Sequence, residues 1–374
     1  MLFVANGHGE SAIAARIARA VGAYDAGIAC DLFPLVGTGP GGGALPTVVG
    51  PRRDLPSGGL VAMGNVRAFG ADLRAGFLRL LCEQLAFLAA ARTRYDAVVA
   101  VGDIYALGLA FVARRPTAFV GTAKSVYVAP YGPGERLLLR RAARTFVRDA
   151  ATAEQLRAQG VAADAPGNAI VDLAGRSALV PGRWLGVLPG SRATAYADGV
   201  RLARVARALG PLEPEIGTLF SVAPTLDAAR FADVLAGDGW TVAADGREAH
   251  VPFEARAGAA RLRLWTGPLG DLLGASTVVL GQAGTGNEQA AAFGLPVIVL
   301  DDGRGGAWYR MRQRRLLGDA LALVSDRPDA AAAAIAALFG DAPRRAMMGA
   351  AGRERMGAPG GAATIAAAVA EMLR

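Results

Sequence analysis

The segment Gly281-Gln-Ala-Gly-Thr-Gly-Asn-Glu-Gln-Ala-Ala-Ala-Phe-Gly-Leu-Pro-Val-Ile-Val-Leu300 leaves few folds open. It reads as a strand end over residues 277–280, a glycine-rich turn, a helix from about Asn287 and a buried strand from Pro296, a strand–helix–strand unit. Gly284 and Gly286 let the backbone approach a ligand closely, and Thr285 offers a hydroxyl. The free N–H groups of the first helical turn complete an anion site. Asn287, Glu288 and Gln289 belong to the same turn, with the Glu288 carboxylate beside the anion.

The rest of the chain repeats this alternation. Short apolar strands (Leu2 to Ala5, Ala97 to Val101, Thr117 to Val120, Trp184 to Leu188, Thr218 to Ser221) alternate with Ala/Arg/Leu helices, the mark of parallel α/β units. At 374 residues, 53% of them hydrophobic, the chain has material for two cores. The pattern restarts after Pro181-Gly182, so the expected organisation is a Rossmann-like domain over 1–175, a second over 176–355 and a terminal helix over 356–374 packing back on the first. The expected fold class is α/β, two Rossmann-like domains facing a central cleft. Residues 69–92 are expected as one long amphipathic helix, and His250 as a surface residue.

Charge and composition narrow the partners. No uncharged apolar run reaches the roughly 18 residues that span a bilayer. Met1 to Ala5 has no basic flank and reads as a core strand, not a signal peptide. Cys30 and Cys82 have no paired spacing, which fits a reducing compartment and an expected cytoplasmic location. The net charge of +8 points to an anionic partner. Arg136, Arg140, Arg144 and Arg148 recur every four residues, and Arg310, Arg312, Arg314 and Arg315 form a second cluster. Each is either a solvated helix face or a surface for anionic lipid headgroups. No aromatic-interleaved basic groove indicates nucleic acid. Of the 40 Lys and Arg residues only Lys124 is a lysine. It follows a strand directly, where a compact, titratable amine could act on a ligand.

Three further turns carry chemistry. Leu185-Gly-Val-Leu-Pro-Gly-Ser-Arg192 delivers Gly190 and Ser191 to a strand–helix turn, with Arg192 able to clamp a phosphate. With the 281–300 turn it can hold a nucleotide diphosphate at the carboxyl edge of one sheet. Asn6-Gly-His-Gly-Glu10 sets Asn6, Gly7, His8, Gly9 and Glu10 in the turn after the first strand. His8 there is a candidate acid–base group, while Glu10 can simply favour the N-terminus of the next helix. Asp103, after strand 97–101, is either a helix cap or a general base for an acceptor hydroxyl. Gly37-Thr-Gly-Pro-Gly-Gly42 matches GxGxxG formally, but no helix follows it. No P-loop, metal-ligand cluster or GxSxG is present, so neither a metal-held diphosphate nor serine catalysis is expected.

Asn6 to Glu10, Leu188-Pro-Gly-Ser-Arg192 and the 281–300 stretch together resemble the GT-B glycosyltransferases, specifically the lipid-A-disaccharide synthase-related proteins. The resemblance spans nearly the whole chain, although Leu-Pro-Gly-Ser-Arg and the Gly-Thr turn are shared with non-hydrolysing sugar-nucleotide epimerases. It implies a UDP-sugar donor in the C-terminal half, a lipid acceptor in the N-terminal half and no cofactor. Arg192 would contact the diphosphate, Asp103 falls where the family has its base, and Phe77, Leu80, Leu81 and Phe87 would lie near a membrane-facing surface. The family's ribose-binding glutamate falls on Gln289, with Glu288 one residue earlier, so either residue is a candidate for that role.

Overall fold

The computed structural model of the chain describes residues 1–37, 39, 46–53, 70, 72–173, 183–192, 194–245, 248–301 and 307–374; the side chains of His8, Ala307 and Tyr309 lie outside that description. The chain forms two compact units, Met1–Leu173 with Gly357–Arg374, and Ala174–Met356.

In the N-terminal unit, strands β1 (Leu2–Ala5), β2 (Asp31–Pro34), β3 (Thr47–Val48), β4 (Val98–Gly102), β5 (Thr117–Gly121) and β6 (Arg144–Val147) form a parallel sheet in the order β3-β2-β1-β4-β5-β6. β1, β4 and β5 are buried along their whole length. Such unbroken apolar runs are what a parallel strand needs when helices cover both faces of its sheet. Helix α1 (His8–Tyr24) contributes Ile13, Ile17 and Val21 to one layer, against Phe3, Val99 and Val101. Helices α2 (Phe77–Ala91), α3 (Ile104–Ala110), α4 (Pro133–Leu139) and α5 (Ala150–Ala158) build the other, around Phe33, Leu88, Leu107, Phe119 and Leu156. The helix Gly361–Ala370 returns to this unit, packing Ile365, Ala366 and Val369 into the α1 layer. Asp172 anchors it, accepting from Gly360 N–H and Ala362 N–H, each at 2.7 Å.

Two expectations fail in this unit. The helix expected over 69–92 is broken at Gly76, which is left-handed, and α2 starts only at Phe77. Its Phe77 and Leu80 are buried against Val36, and Leu81 and Phe87 are half-buried, so that row packs inward instead of facing a membrane. The arginine stripe does not exist as a helix face, because α4 ends at Leu139 and Arg144 already begins β6. Arg136 donates to Tyr131 O, Arg140 to Gly160 O and Gln159 O, and buried Arg148 to Thr122 O. These guanidiniums satisfy loop carbonyls.

The C-terminal unit holds β7 (Trp184–Leu188), β8 (Gly217–Ser221), β9 (Thr241–Ala244), β10 (Phe253–Ala257), β11 (Ala260–Trp265), β12 (Ser276–Gly281), β13 (Val297–Asp301) and β14 (Leu321–Ser325). Their order is β14-β13-β12-β7-β8-β11-β10-β9, parallel except for the antiparallel β9-β10-β11 edge. Apart from the β9–β10 hairpin, the strand order repeats that of the N-terminal sheet. The helices are α6 (Ala195–Leu209), α7 (Ala228–Gly237), α8 (Leu269–Ala275), α9 (Thr285–Ala292), α10 (Ala307–Leu317), α11 (Pro328–Gly340) and α12 (Ala342–Met356), and the returning helix is α13. In α6, Ala195, Gly199, Leu202, Ala206 and Leu209 recur every three or four residues and are buried. Each buried leucine there contributes about 2 kcal/mol.

β10, β14, α10 and α12 are elements the sequence pattern does not reveal. Helix α12 carries Gly349 and Gly352, which ordinarily weaken a helix. Here they let it lie directly on α9: a Cβ on Gly352 would strike Ala291 O, and one on Gly349 would strike Gly294 O. The segment Ala342–Leu373 has a length and composition compatible with a membrane span, but it comprises α12 and α13, which belong to different units.

Candidate functional site

A parallel sheet ordered 3-2-1-4-5-6 has its topological switch point between the first and fourth strands, where the loops diverge and leave a crevice at the carboxyl edge. This chain has two such points, between β1 and β4 and between β7 and β12.

The β7/β12 point brings together the two glycine turns singled out from the sequence. Gln282 N–H and Ala283 N–H both donate to Leu188 O, at 2.9 and 3.2 Å, tying the 281–286 turn to the 188–192 turn. Gly190 has φ +112, a conformation open to glycine, and its Cα faces open space. Ser191 and Arg192 are exposed beyond it, and Thr225 Oγ1 donates to Ser191 O at 2.8 Å. Helix α9 starts at Thr285, two residues before the expected position, with Thr285 exposed. Among the described residues neither α6 nor α9 has a side chain capping its N-terminus. At the start of α6 Ala195 N–H instead donates to Arg192 O at 2.8 Å.

Asn287 and Gln289 are not on the ligand side, contrary to expectation: they are buried, with 0% and 5% exposure. Asn287 Nδ2 donates to Gly281 O at 3.3 Å and to Gln313 Oε1 at 3.2 Å. Gln313 Nε2 in turn donates to Ala283 O and Gly284 O, both at 3.1 Å. This pair pulls the carbonyls of the turn inward and thereby fixes the direction of its N–H groups. Glu288, half-buried in the first turn of α9, is the residue of that trio still reached by solvent. The sequence offered no signal for Gln313, which lies in the arginine-rich α10. That cluster is itself divided, since Arg310 is buried and pairs with Asp301 at 2.9 Å while Arg314 and Arg315 are exposed.

The β1/β4 point is built oppositely. Asp103 caps α3, Oδ1 accepting from Ala106 N–H at 3.0 Å, and Oδ2 accepts from Asn6 Nδ2 at 2.9 Å. Glu10, in the first turn of α1, lies against both loops. A Cβ on Gly7 would come 2.6 Å from Glu10 Oε2, and one on Gly102 2.9 Å from Glu10 Cγ. Asn6 is 8% exposed, and its Oδ1 is buried with no hydrogen bond among the described residues. Gly9 is exposed and its Cα faces open space. Of His8 the backbone opens α1, while its side chain lies outside the description. Burial, then the Asp103 charge, pushes the Tyr105 phenol up to about 12, which keeps it a neutral donor.

Lys124 is not available as an isolated amine. Its Nζ pairs with Glu135 Oε2 at 2.7 Å, an oxygen that also accepts from Gly132 N–H at 2.6 Å, and it lies 5.6 Å from the centre of the Tyr131 ring. Tyr131 is buried, and that burial holds its phenol well above its ordinary range. A cavity of about 670 Å³ lies away from both switch points, at the amino ends of β7 and β8 under the β9–β11 edge. Arg263 there is paired with Glu248 and Glu254, at 3.1 and 2.9 Å. Among the described residues no group of three or more His, Cys, Asp or Glu could hold a metal ion.

No family model and no curated protein matches the chain. Solved structures do. The UDP-GlcNAc 2-epimerase of Neisseria meningitidis, bound to UDP-GlcNAc, matches 100% of this chain and 98% of its own at 13% identity with a TM-score of 0.56. MurG of Acinetobacter baumannii matches 99% of each chain at 14% identity and a TM-score of 0.57. The spinosyn rhamnosyltransferase SpnG, complexed with thymidine diphosphate, matches 98% of this chain and 99% of its own at 16% identity and a TM-score of 0.54. The shared property is the fold: two Rossmann-like α/β units in one chain, the GT-B class expected from the sequence.

Proposed function

We propose that the chain is a nucleotide-sugar enzyme that transfers a glycosyl group from a UDP-sugar to a hydroxyl acceptor without a bound metal. The observation that carries this reading is the difference between the two switch points. At β7/β12 the two joined glycine turns, the uncapped start of α9 and exposed Arg192 come together, which suits a diphosphate leaving group. At β1/β4 the start of α3 is already capped by Asp103, while α1 carries Glu10 in its first turn without a side-chain cap. The donor therefore goes to the C-terminal unit, with its pyrophosphate on the Gly190–Arg192 and Gly284–Gly286 turns. Glu288 takes the ribose, because Gln289 is buried. The N-terminal unit takes the acceptor, with Asp103 receiving its proton and His8 the alternative base. The nucleotides named for the fold's relatives, UDP-GlcNAc and thymidine diphosphate, support a pyrimidine diphosphate.

The resemblance to lipid-A-disaccharide synthase-related proteins supports a lipid-linked acceptor, met at the cytoplasmic face of a membrane. On α10, Trp308, Met311 and Arg315 share one helical face; Trp308 is 75% exposed and Met311 47%. We assign the lipid contact to that face. A second reading, a sugar-nucleotide epimerase, is favoured by the full-length likeness to the Neisseria enzyme and by the Glu10–Asp103 pair, which could move protons on a bound sugar. Two experiments decide. UDP at a hundredfold excess over its dissociation constant should stabilise the protein by about 2.7 kcal/mol in a thermal melt, with ADP and GDP weaker. A preference for purines would defeat the donor assignment. Conversion of UDP-GlcNAc without any acceptor would establish the epimerase in place of the transferase.

A further inference from the structure

The eight-stranded sheet leaves one edge open. β9 pairs with β10 and with no other strand among the described residues. Its Thr241, Ala243 and Ala244 are exposed and Val242 is half-buried, whereas the opposite edge, β14, is buried or half-buried over its first four residues. An open strand is ordinarily protected by a lysine, a proline or a bulge. Thr241-Val-Ala-Ala244 has none of these, and its register with β10 runs unbroken from Arg256↔Thr241 to Phe253↔Ala244. The ladder also fixes where the free backbone groups point. Asp245 N–H donates to Pro252 O at 2.9 Å, one step beyond the Ala244–Phe253 pair. Opposed residues of an antiparallel pair alternate between exchanging backbone bonds and exchanging none. Asp245, Ala243 and Thr241 therefore bond toward β10, and Val242 and Ala244 turn their N–H and C=O groups outward. Val242 and Ala255 pack into the core on one face of the sheet. On the other, beside the 670 Å³ cavity, Arg256 lies opposite Thr241; its side chain is 69% exposed and its ion pair with Glu254 is long, at 3.7 Å.

We propose that β9 is the contact between two copies of this chain, joined about a two-fold axis at Ala243 into one continuous antiparallel sheet. In this register Val242 of each copy faces Ala244 of the other, and the outward N–H and C=O groups of both residues are answered. Ala243 meets its own counterpart in the non-bonded pair, where Cα atoms approach to about 4.5 Å and a small side chain fits. Thr241 falls opposite Asp245 of the second copy. Arg256, Thr241 and that aspartate then form one cross-strand row, with the arginine two strand spacings, about 10 Å, from the aspartate. An extended arginine spans that gap across a threonine, and the symmetry repeats the pair at the other end of the ladder. This charge match is what selects a second copy over an unrelated strand. The two-fold sends the carboxyl edges of the two sheets in opposite directions, so both β7/β12 crevices stay open. A ladder of four residues is smaller than the roughly 1,200–2,000 Å² of a stable complex, so the association is weak, with a dissociation constant of about 10 to 100 µM.

Sedimentation velocity of the full chain from about 1 to 300 µM tests this, and a monomer–dimer equilibrium should appear within that range. Ala244→Pro removes an outward N–H and no bond within the chain, so it should raise the dissociation constant at least about tenfold. Tryptophan emission in urea, which follows this unit, shows that the variant still folds. Asp245→Arg and Arg256→Asp should each weaken the dimer about tenfold, because each sets like charges against one another at both ends of the ladder. An equimolar mixture of these two variants should associate as the wild type does, since arginine again meets aspartate in both rows. The charge variants decide the matter should Ala244→Pro fail to fold. A chain that stays monomeric throughout, a dimer indifferent to a folded Ala244→Pro variant, or charge variants whose mixture associates no better than either alone would each overturn the proposal.

Discussion

Replacing Gln313 with leucine changes little in volume but removes the side chain that organises the 281–286 turn. Its Nε2 donates to Ala283 O and Gly284 O, and its Oε1 accepts from Asn287 Nδ2. Gly284 is half-exposed, so water can serve its carbonyl, but Ala283 and Asn287 are buried. Two buried polar groups thus lose a partner, at about 1 to 3 kcal/mol each. Asn287 keeps its bond to Gly281 O, which places the sum near 2 to 4 kcal/mol. For a unit of this size that is roughly 5 to 15 °C in melting temperature. All four tryptophans, Trp184, Trp240, Trp265 and Trp308, lie in Ala174–Met356, so intrinsic fluorescence follows this unit alone. A urea titration read by tryptophan emission gives the stability, and calorimetric titration with UDP gives the affinity, expected to fall at least about tenfold as the N–H groups lose their fixed direction. If Gln313→Leu keeps wild-type stability and wild-type UDP affinity, the turn is not held by this side chain and the account of the site is wrong.

The other predictions concern separate parts of the chain. Arg192→Ala should leave the fluorescence melt unchanged and weaken UDP roughly 10- to 100-fold, the value of a charge-assisted contact to phosphate; an unaltered affinity would remove Arg192 from the site. Asp172→Ala deletes two hydrogen bonds of 2.7 Å at the start of α13 and should speed amide exchange over residues 361–370 while sparing the C-terminal unit. Sedimentation with phosphatidylglycerol vesicles should recover the wild-type protein and far less of a Trp308→Ser, Arg315→Ser double variant; equal recovery would reject α10 as the lipid contact. Turnover should survive EDTA, and loss that returns with a divalent cation would contradict the metal-free reaction.

Much of this architecture could be read from residues alone because parallel strands announce themselves. Leu2–Ala5, Trp184–Leu188 and Val297–Asp301 are short apolar runs bounded by turn residues, and each is a strand. The two glycine turns after β7 and β12 were equally visible, although their contact through Leu188 O depends on strand order and not on spacing. What misled was periodicity continued across a break. Arg136 to Arg148 keeps a helical interval, yet the helix ends after Leu139 and a strand takes over. Helix α12 was hidden for the opposite reason, its two glycines serving contacts with α9 that only the tertiary structure displays. Side-chain direction was the weakest point: a helix starting at Thr285 instead of near Asn287 turns Asn287 and Gln289 into the interior.

The return of α13 to the first unit also bears on how the chain is made. Domains emerging from a ribosome generally fold in the order of their synthesis. Here Ala174–Met356 is complete before residues 361–370 exist, whereas the layer on α1 lacks Ile365, Ala366 and Val369 until those residues emerge. The nascent N-terminal unit therefore waits with one apolar face uncovered while its successor folds, and the step that completes it is the docking of a ten-residue helix. Premature termination after Met356 would yield a finished C-terminal unit tethered to an unfinished N-terminal one, a natural substrate for chaperones and proteases.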